Sequence, residues 1–140
     1  LLTDSLNSRN GLVLSILMTK RNGGLWTESR FKSFVISKLR AGLRWWPPKF
    51  RVLKNAATER RINPKSGKLA MHYRCAKCKG EFPLKEVQVD HKQPVVDTKT
   101  GFVSWDVYVE RMFVEDKALQ VLCKPCHKNK SDKERAQRRG

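Results

Sequence analysis

Acidic residues are scarce in this chain: 13, against 30 lysines and arginines, for a net charge of +17 over 140 residues. An excess of that size is more than a solvated surface needs. It is the electrostatic footprint of a protein that neutralises a polyanion and releases its counterions. The charge is spread along the whole length and follows no amphipathic stripe, which argues against a membrane surface. Long apolar runs are missing as well. "GLVLSILM" (residues 11–18) is too short to span a bilayer, and it lacks the basic flank and cleavage site of a signal peptide. Cysteine is rare: the four present fall in two tight pairs, Cys75/Cys78 and Cys123/Cys126. Disulfide frameworks of small secreted domains are not arranged this way, so a reducing, intracellular setting is expected. With 39% apolar residues the core is modest, and the length suits one domain or one small domain with an extension.

What is there begins with those cysteines. C-x2-C repeated after a long insertion is a specific zinc pattern, because each pair turns both sulfurs toward one point. The long insertion is tolerated because closure entropy grows slowly with loop length. Four thiolates complete a tetrahedron and leave no open position, so the expected role is structural. Metal binding on the order of 10 kcal/mol would offset much of the deficit of a small core.

His127, directly after Cys126, is then left over. Neighbours on a helix diverge by about 100°, so His127 cannot easily share the metal of Cys126. Asp90-His91 ends the most strand-like stretch of the sequence, "EVQVDH", where adjacent side chains point to opposite sides. Asp90, His91 and His127 therefore form a second candidate cluster: an oxygen and a nitrogen ligand for one divalent metal, plus a free imidazole.

Periodicity places these motifs on elements. "LWTESRFKSFVISKLRAGLRWWPP" reads as a helix with Thr27 as N-cap; Phe31, Phe34, Val35 and Leu39 lie at helical spacing, and Gly42 with Pro47-Pro48 ends it. A second helix is expected from Pro48 through "KFRVLKNAATERR", with Val52, Leu53, Ala56 and Ala57 inward. "NPKSGK" then breaks the chain as a turn. "LAMHYRC", "EVQVDH" and "LQVLC" read as strands. "SWDVYVERMF" reads as a helix capped by Ser104, with Trp105, Tyr108, Val109 and Met112 available for the core. "KPCHKNKSDKERAQRR" reads as a last, highly charged helix.

"VDHKQPVV" and "ALQVLCKPCHKNKS", with "RCAKC" upstream, resemble the zinc-containing HNH endonucleases of the ββα-metal fold. "WTESRFKSFVISKLR" and "RWWPPK" resemble, more loosely, the N-terminal part of HNH homing endonucleases of bacteriophages, including free-standing and intron-associated ones. The resemblance implies an α+β fold, with a basic helical DNA-binding region over residues 18–66 and a zinc-bound nuclease domain over 67–140. Residues 1–17 are expected to be a leader or read-through segment, since Met18 fits a natural start. The resemblance further implies that His91 is the general base, and that Asp90 and His127 hold one catalytic Mg²⁺ or Mn²⁺. Zn²⁺ at Cys75, Cys78, Cys123 and Cys126 would keep these groups together. It also implies a phage-encoded protein acting in the cytoplasm of a bacterial host. One position departs from the family. Ala118 stands where the family has its central asparagine, and alanine cannot make the hydrogen bonds that fix the loop and orient the base. The chain is therefore expected to be attenuated or inactive. Replacement of the asparagine to stop cleavage accounts for an otherwise intact motif better than natural decay does.

Double-stranded DNA is the expected partner, bound by a monomer, with no membrane. Arg30, Lys32, Lys38, Arg40, Arg44, Lys49, Arg51, Arg60, Arg61 and Lys65 are the expected contacts of the N-terminal half, joined by Lys128 and Lys130. Most would touch phosphates, which supplies affinity without sequence choice. Trp45 and Trp46 fit core packing better than a wedge against DNA. His72 is expected to be structural or near the surface, and the terminal "KNKSDKERAQRR" either follows phosphates or stays solvated. Two other classes fit the composition: a zinc-ribbon DNA-binding module without chemistry, for which Ala118 speaks, and a small protein-interaction domain with incidental basicity.

Overall fold

A computed structural model describes residues 21–140, and the expected leader over 1–17 lies outside the described residues. The chain divides into two compact units, Leu1–Gly42 and Leu43–Gly140. In the first, a tight turn brings Arg21 back to Trp26 through Asn22, Gly23 and Gly24, all at positive φ. Two glycines meet that requirement without steric cost. The turn leads into helix α1 (Glu28–Leu43), and Thr27 caps it by accepting the Arg30 amide at 3.2 Å. The Arg21 guanidinium holds both oxygens of Glu28 across the same turn. No residue of α1 is buried, and Phe34 packs at 5.2 Å from Trp26 while remaining 43% exposed.

The second unit opens with helix α2 (Pro47–Ala56), whose prolines occupy first-turn positions that need no amide donor. Trp46 and Trp45 part company here. Trp46 donates its indole N–H to the Val114 carbonyl at 2.6 Å and meets Phe113 edge-on, while Trp45 is 68% exposed. The helix expected to continue through "AATERR" stops at Ala56, because Ala57 adopts extended ψ and starts strand β1 (Ala57–Ile62). Alanine, glutamate and arginine favour helix locally. The ladder to β2 (Leu69–Arg74) outweighs that preference, with the Thr58 hydroxyl on the His72 carbonyl and Arg61 on Glu81 adding cross-strand bonds.

β1, β2 and β3 (Glu81–Pro83) form one antiparallel sheet, in that order. The expected turn over "NPKSGK" joins β1 to β2: Asn63 Oδ1 accepts the Lys65 amide and Gly67 sits at φ 69°. The division expected after residue 66 thus falls inside a hairpin, whereas the compact units divide between Gly42 and Leu43.

β4 (Val87–His91) and β5 (Leu119–Cys123) pair antiparallel as a second sheet, with Asp90 opposite Gln120 and His91 opposite Leu119. The connection between them carries helix α3 (Trp105–Met112), capped by Ser104, whose hydroxyl accepts the Val107 amide. Tyr108 and Met112 are buried and Trp105 half-buried; Val109, expected inward, is 39% exposed. Helix α4 (Lys124–Arg139) follows β5 without a loop and packs on both strands. Among the described residues the core comprises Cys75, Val87, Tyr108, Met112, Leu119, Val121, Leu122 and Cys123, with His72 as a buried polar side chain, its Nδ1 3.0 Å from the Ala70 carbonyl. The domain is therefore small and α+β, as expected.

Candidate functional site

The first cysteine pair sits in the turn between β2 and β3. Cys75 donates its amide to the Gly80 carbonyl and accepts the Lys79 amide, and Ala76 donates to Val121 of β5. Lys79 takes positive φ, and a Cβ on Gly80 would lie 2.8 Å from the Phe82 ring. A side chain at position 80 would therefore require the Phe82 ring to shift. The second pair straddles the β5–α4 junction, with Cys123 as N-cap residue and Cys126 in the first turn. The four sulfurs lie within 4.8 Å of one another. A tetrahedral ion with metal–sulfur bonds of about 2.3 Å spaces its sulfurs by about 3.8 Å; Cys78 and Cys123 Sγ are 3.8 Å apart.

Their acidities split as crowded acids do. Burial pushes the Cys75 thiol up, but amides of Cys123, Cys78 and Lys77 outweigh it and bring it down to about 6. The hydrogen bond with Cys123, then burial, pushes Cys126 up to about 12, and burial likewise raises Cys123. All four can ionise together only around a cation. The set is compatible with a structural metal such as zinc. Among the described residues it is the group of three or more potential ligands that converges on one point.

One residue along α4, His127 turns to the other side of the helix. Its Nε2 lies 3.6 Å from Asp90 Oδ1. Asp90 is partly buried, with 13% of its side chain exposed, and the Lys130 ammonium stands 3.0 Å from its Oδ2 as a close ion pair. Lys130 also pairs with Glu134. Burial pulls the Lys130 ammonium toward the neutral form, but hydrogen bonds and charges of Glu134 and Asp90 prevail and raise its pKa. Lys130, expected on DNA, is thus turned inward on the acids.

His91 takes the opposite side of β4. Its Nε2 lies 2.7 Å from the Met112 carbonyl oxygen, which only accepts, so Nε2 carries the proton. A neutral imidazole held this way leaves Nδ1 as its free base nitrogen. Ala118 ends a short 3₁₀ turn before β5, and its carbonyl accepts the amide of Lys92, the residue after His91, at 2.9 Å. Backbone alone ties the two strand ends together there. The Lys130 and Glu134 partners went unread in the sequence; with His127 they recur at i, i+3 and i+7, one helix face.

The other expected DNA contacts are spread over both units. Arg30 stacks on Trp26 and Lys38 on Phe34 in the first, where Lys32 is half-buried and Arg40 exposed. In the second, Arg44 and Arg60 are exposed, while Lys49 is half-buried and its pKa is lowered by that burial. Arg51 pairs with Asp116, Arg61 with Glu81, Lys65 with Glu86 and Lys128 with Asp132. Among the described residues no helix is long and apolar enough to cross a membrane. Comparison with protein-family models, curated proteins and solved structures finds no match.

Proposed function

We propose that the chain is a metal-dependent endonuclease of the HNH type, acting on double-stranded DNA. The observation that carries the reading is the meeting of Asp90 and His127 beside an imidazole whose tautomer is fixed by Met112. Ligands about 2.1 Å from an octahedral cation lie about 3.0 Å apart when adjacent and about 4.2 Å when opposite. The 3.6 Å between His127 Nε2 and Asp90 Oδ1 is wider than the adjacent spacing, so the pair would have to close slightly around an ion, and Asp90 Oδ2, now held by the Lys130 ammonium, is its second oxygen. An oxygen–nitrogen donor pair with room for water suits Mg²⁺ or Mn²⁺. Such an ion supplies charge stabilisation at the scissile phosphate and the departing 3′ oxygen.

Within this reading, His91 Nδ1 accepts a proton from the attacking water as its oxygen bonds to phosphorus, and the bond from phosphorus to the 3′ oxygen breaks, that oxygen taking a proton from solvent water. The four cysteines would hold a Zn²⁺ that fixes the β5–α4 junction carrying His127. The exposed basic residues of both units supply phosphate contacts, and the basic excess supports DNA over a neutral partner. A monomer of phage origin working in the bacterial cytoplasm completes the proposal on resemblance alone.

Ala118 favours a second reading, a zinc-bound DNA-binding module that no longer cuts. Nicking of supercoiled plasmid against Mg²⁺ concentration separates the two. Ala118→Asn is expected to raise cleavage at least about a hundredfold, the scale of a mispositioned catalytic group. No gain would favour the binder. Binding that does not weaken as salt rises would count against nucleic acid in either form.

A further inference from the structure

The arrangement of α4 raises a question about charge. A cation site built from Asp90 and His127 already has a cation in it, the Lys130 ammonium 3.0 Å from Asp90 Oδ2. A divalent ion and an ammonium cannot share one carboxylate in a half-buried site without strong repulsion. Lys130 has somewhere else to go. Its second partner, Glu134, lies one turn further along the helix, and both residues line a cleft of about 460 Å³ with Gln120 and Gln137. Losing Asp90 would leave the ammonium paired with Glu134 at the wall of that cleft.

Resting on the nuclease reading, we propose that Lys130 is a built-in placeholder for the divalent cation, a positioning residue that neutralises Asp90 until metal displaces it onto Glu134. Without metal, Lys130 holds Asp90 in place and balances its charge. Metal binding is then an exchange of cations rather than the filling of a bare acidic site. Affinity is weakened by the ammonium that must leave, and strengthened by the carboxylate that receives it.

The test is Mn²⁺ titration of the zinc-loaded full chain, read by the loss of the free Mn²⁺ signal in electron paramagnetic resonance. Lys130→Met is expected to tighten binding about tenfold, the factor carried by a close charge pair of roughly 1.4 kcal/mol. Glu134→Gln is expected to weaken it, since the displaced ammonium loses its acceptor. Lys133→Met removes the same charge from the same helix without touching Asp90, and is expected to stay within about twofold of the parent. Equal effects of Lys130→Met and Lys133→Met, or no tightening by Lys130→Met, would overturn the placeholder role. Asp90→Ala tells the two ideas apart. If Mn²⁺ binds equally with and without Asp90, the metal-site reading itself fails. If binding needs Asp90 but ignores Lys130, only the placeholder fails. Should Lys130→Met melt early, rescue of its melting temperature by Mn²⁺ is still expected, and absence of rescue counts against the role.

Discussion

The first turn of α4 serves two clusters that are neighbours in sequence and opposites in construction. Cys123 and Cys126 belong to a closed set of four sulfurs, two of them in the core, braced by backbone bonds within the β2–β3 turn and by the Ala76 amide on Val121 of β5. His127 and Asp90 form an open pair, half-exposed on one side and balanced by a lysine. Closed and crowded, the first set suits a cation, which would stabilise four thiolates at such short spacing. The second is electrically complete as it stands. On the proposed reading, the difference is that one cluster would hold the fold together while the other would bind and exchange a cation. Stability and activity should therefore separate cleanly between two adjacent residues.

The largest effect should come from the sulfurs. Cys126→Ser, or treatment with a chelator, is expected to cost several kcal/mol or to abolish cooperative unfolding, since a metal held by such a cluster would contribute folding energy. Circular dichroism melts with and without chelator measure it. A melt unmoved by either treatment would erase the contrast at its stronger end.

The opposite pattern is expected one residue on. In the Ala118→Asn form, His91→Ala should lower the cleavage rate by about 10²–10⁴, the usual worth of a general base. His127→Ala and Asp90→Ala should stop Mg²⁺-dependent cleavage while the cysteine cluster keeps its metal. The stability cost of His91→Ala should be near 1 kcal/mol, that of the lost bond to Met112. Activity assayed beside zinc content and melting temperature shows whether the two clusters are independent. A variant at His127 that released the zinc would break the comparison.

A milder probe reaches the sulfurs without removing one. Gly80→Ala places a methyl 2.8 Å from the Phe82 ring, which packs against Cys75, Leu122 and Cys123. Overpacking of this kind costs about 1–3 kcal/mol, and the loss should appear in the melt but not in metal stoichiometry.

Much of this frame was legible in the sequence. Cysteine spacing named the four sulfurs, alternation placed β2, β4 and β5, and the Ser104 cap placed α3. These signals are local, and local chemistry decides them. The rest depends on partners distant in sequence. Strand β1 carries helix-forming residues and becomes a strand only because β2 pairs with it. The bond from His91 to the Met112 carbonyl spans a connection whose path no periodicity describes. Lys130 looks in the sequence like one more phosphate contact, since a lysine in a basic helix looks the same whether it faces solvent or an aspartate on a neighbouring strand.

The smallest expected effect tests a support that both clusters share. Arg51 of α2 grips Asp116 in the turn that feeds β5, and β5 leads to both the sulfurs and, through α4, His127. The hydrogen bond from Arg51, aided by its charge and opposed by burial, holds the Asp116 carboxyl below its ordinary value. A carboxyl depressed in the folded state adds stability above the unfolded value of about 4 and loses it as pH falls through the folded value. The stability gap between parent and Arg51→Met should thus be small at neutral pH, shrink in salt, and close under acid. Melts from pH 7 to 3 measure it. Both clusters should feel the change equally little. Because Ala118 closes that same turn and accepts the amide following His91, loss of cleavage in the Ala118→Asn form of Arg51→Met, with zinc retained, would show that the turn aims the open cluster alone.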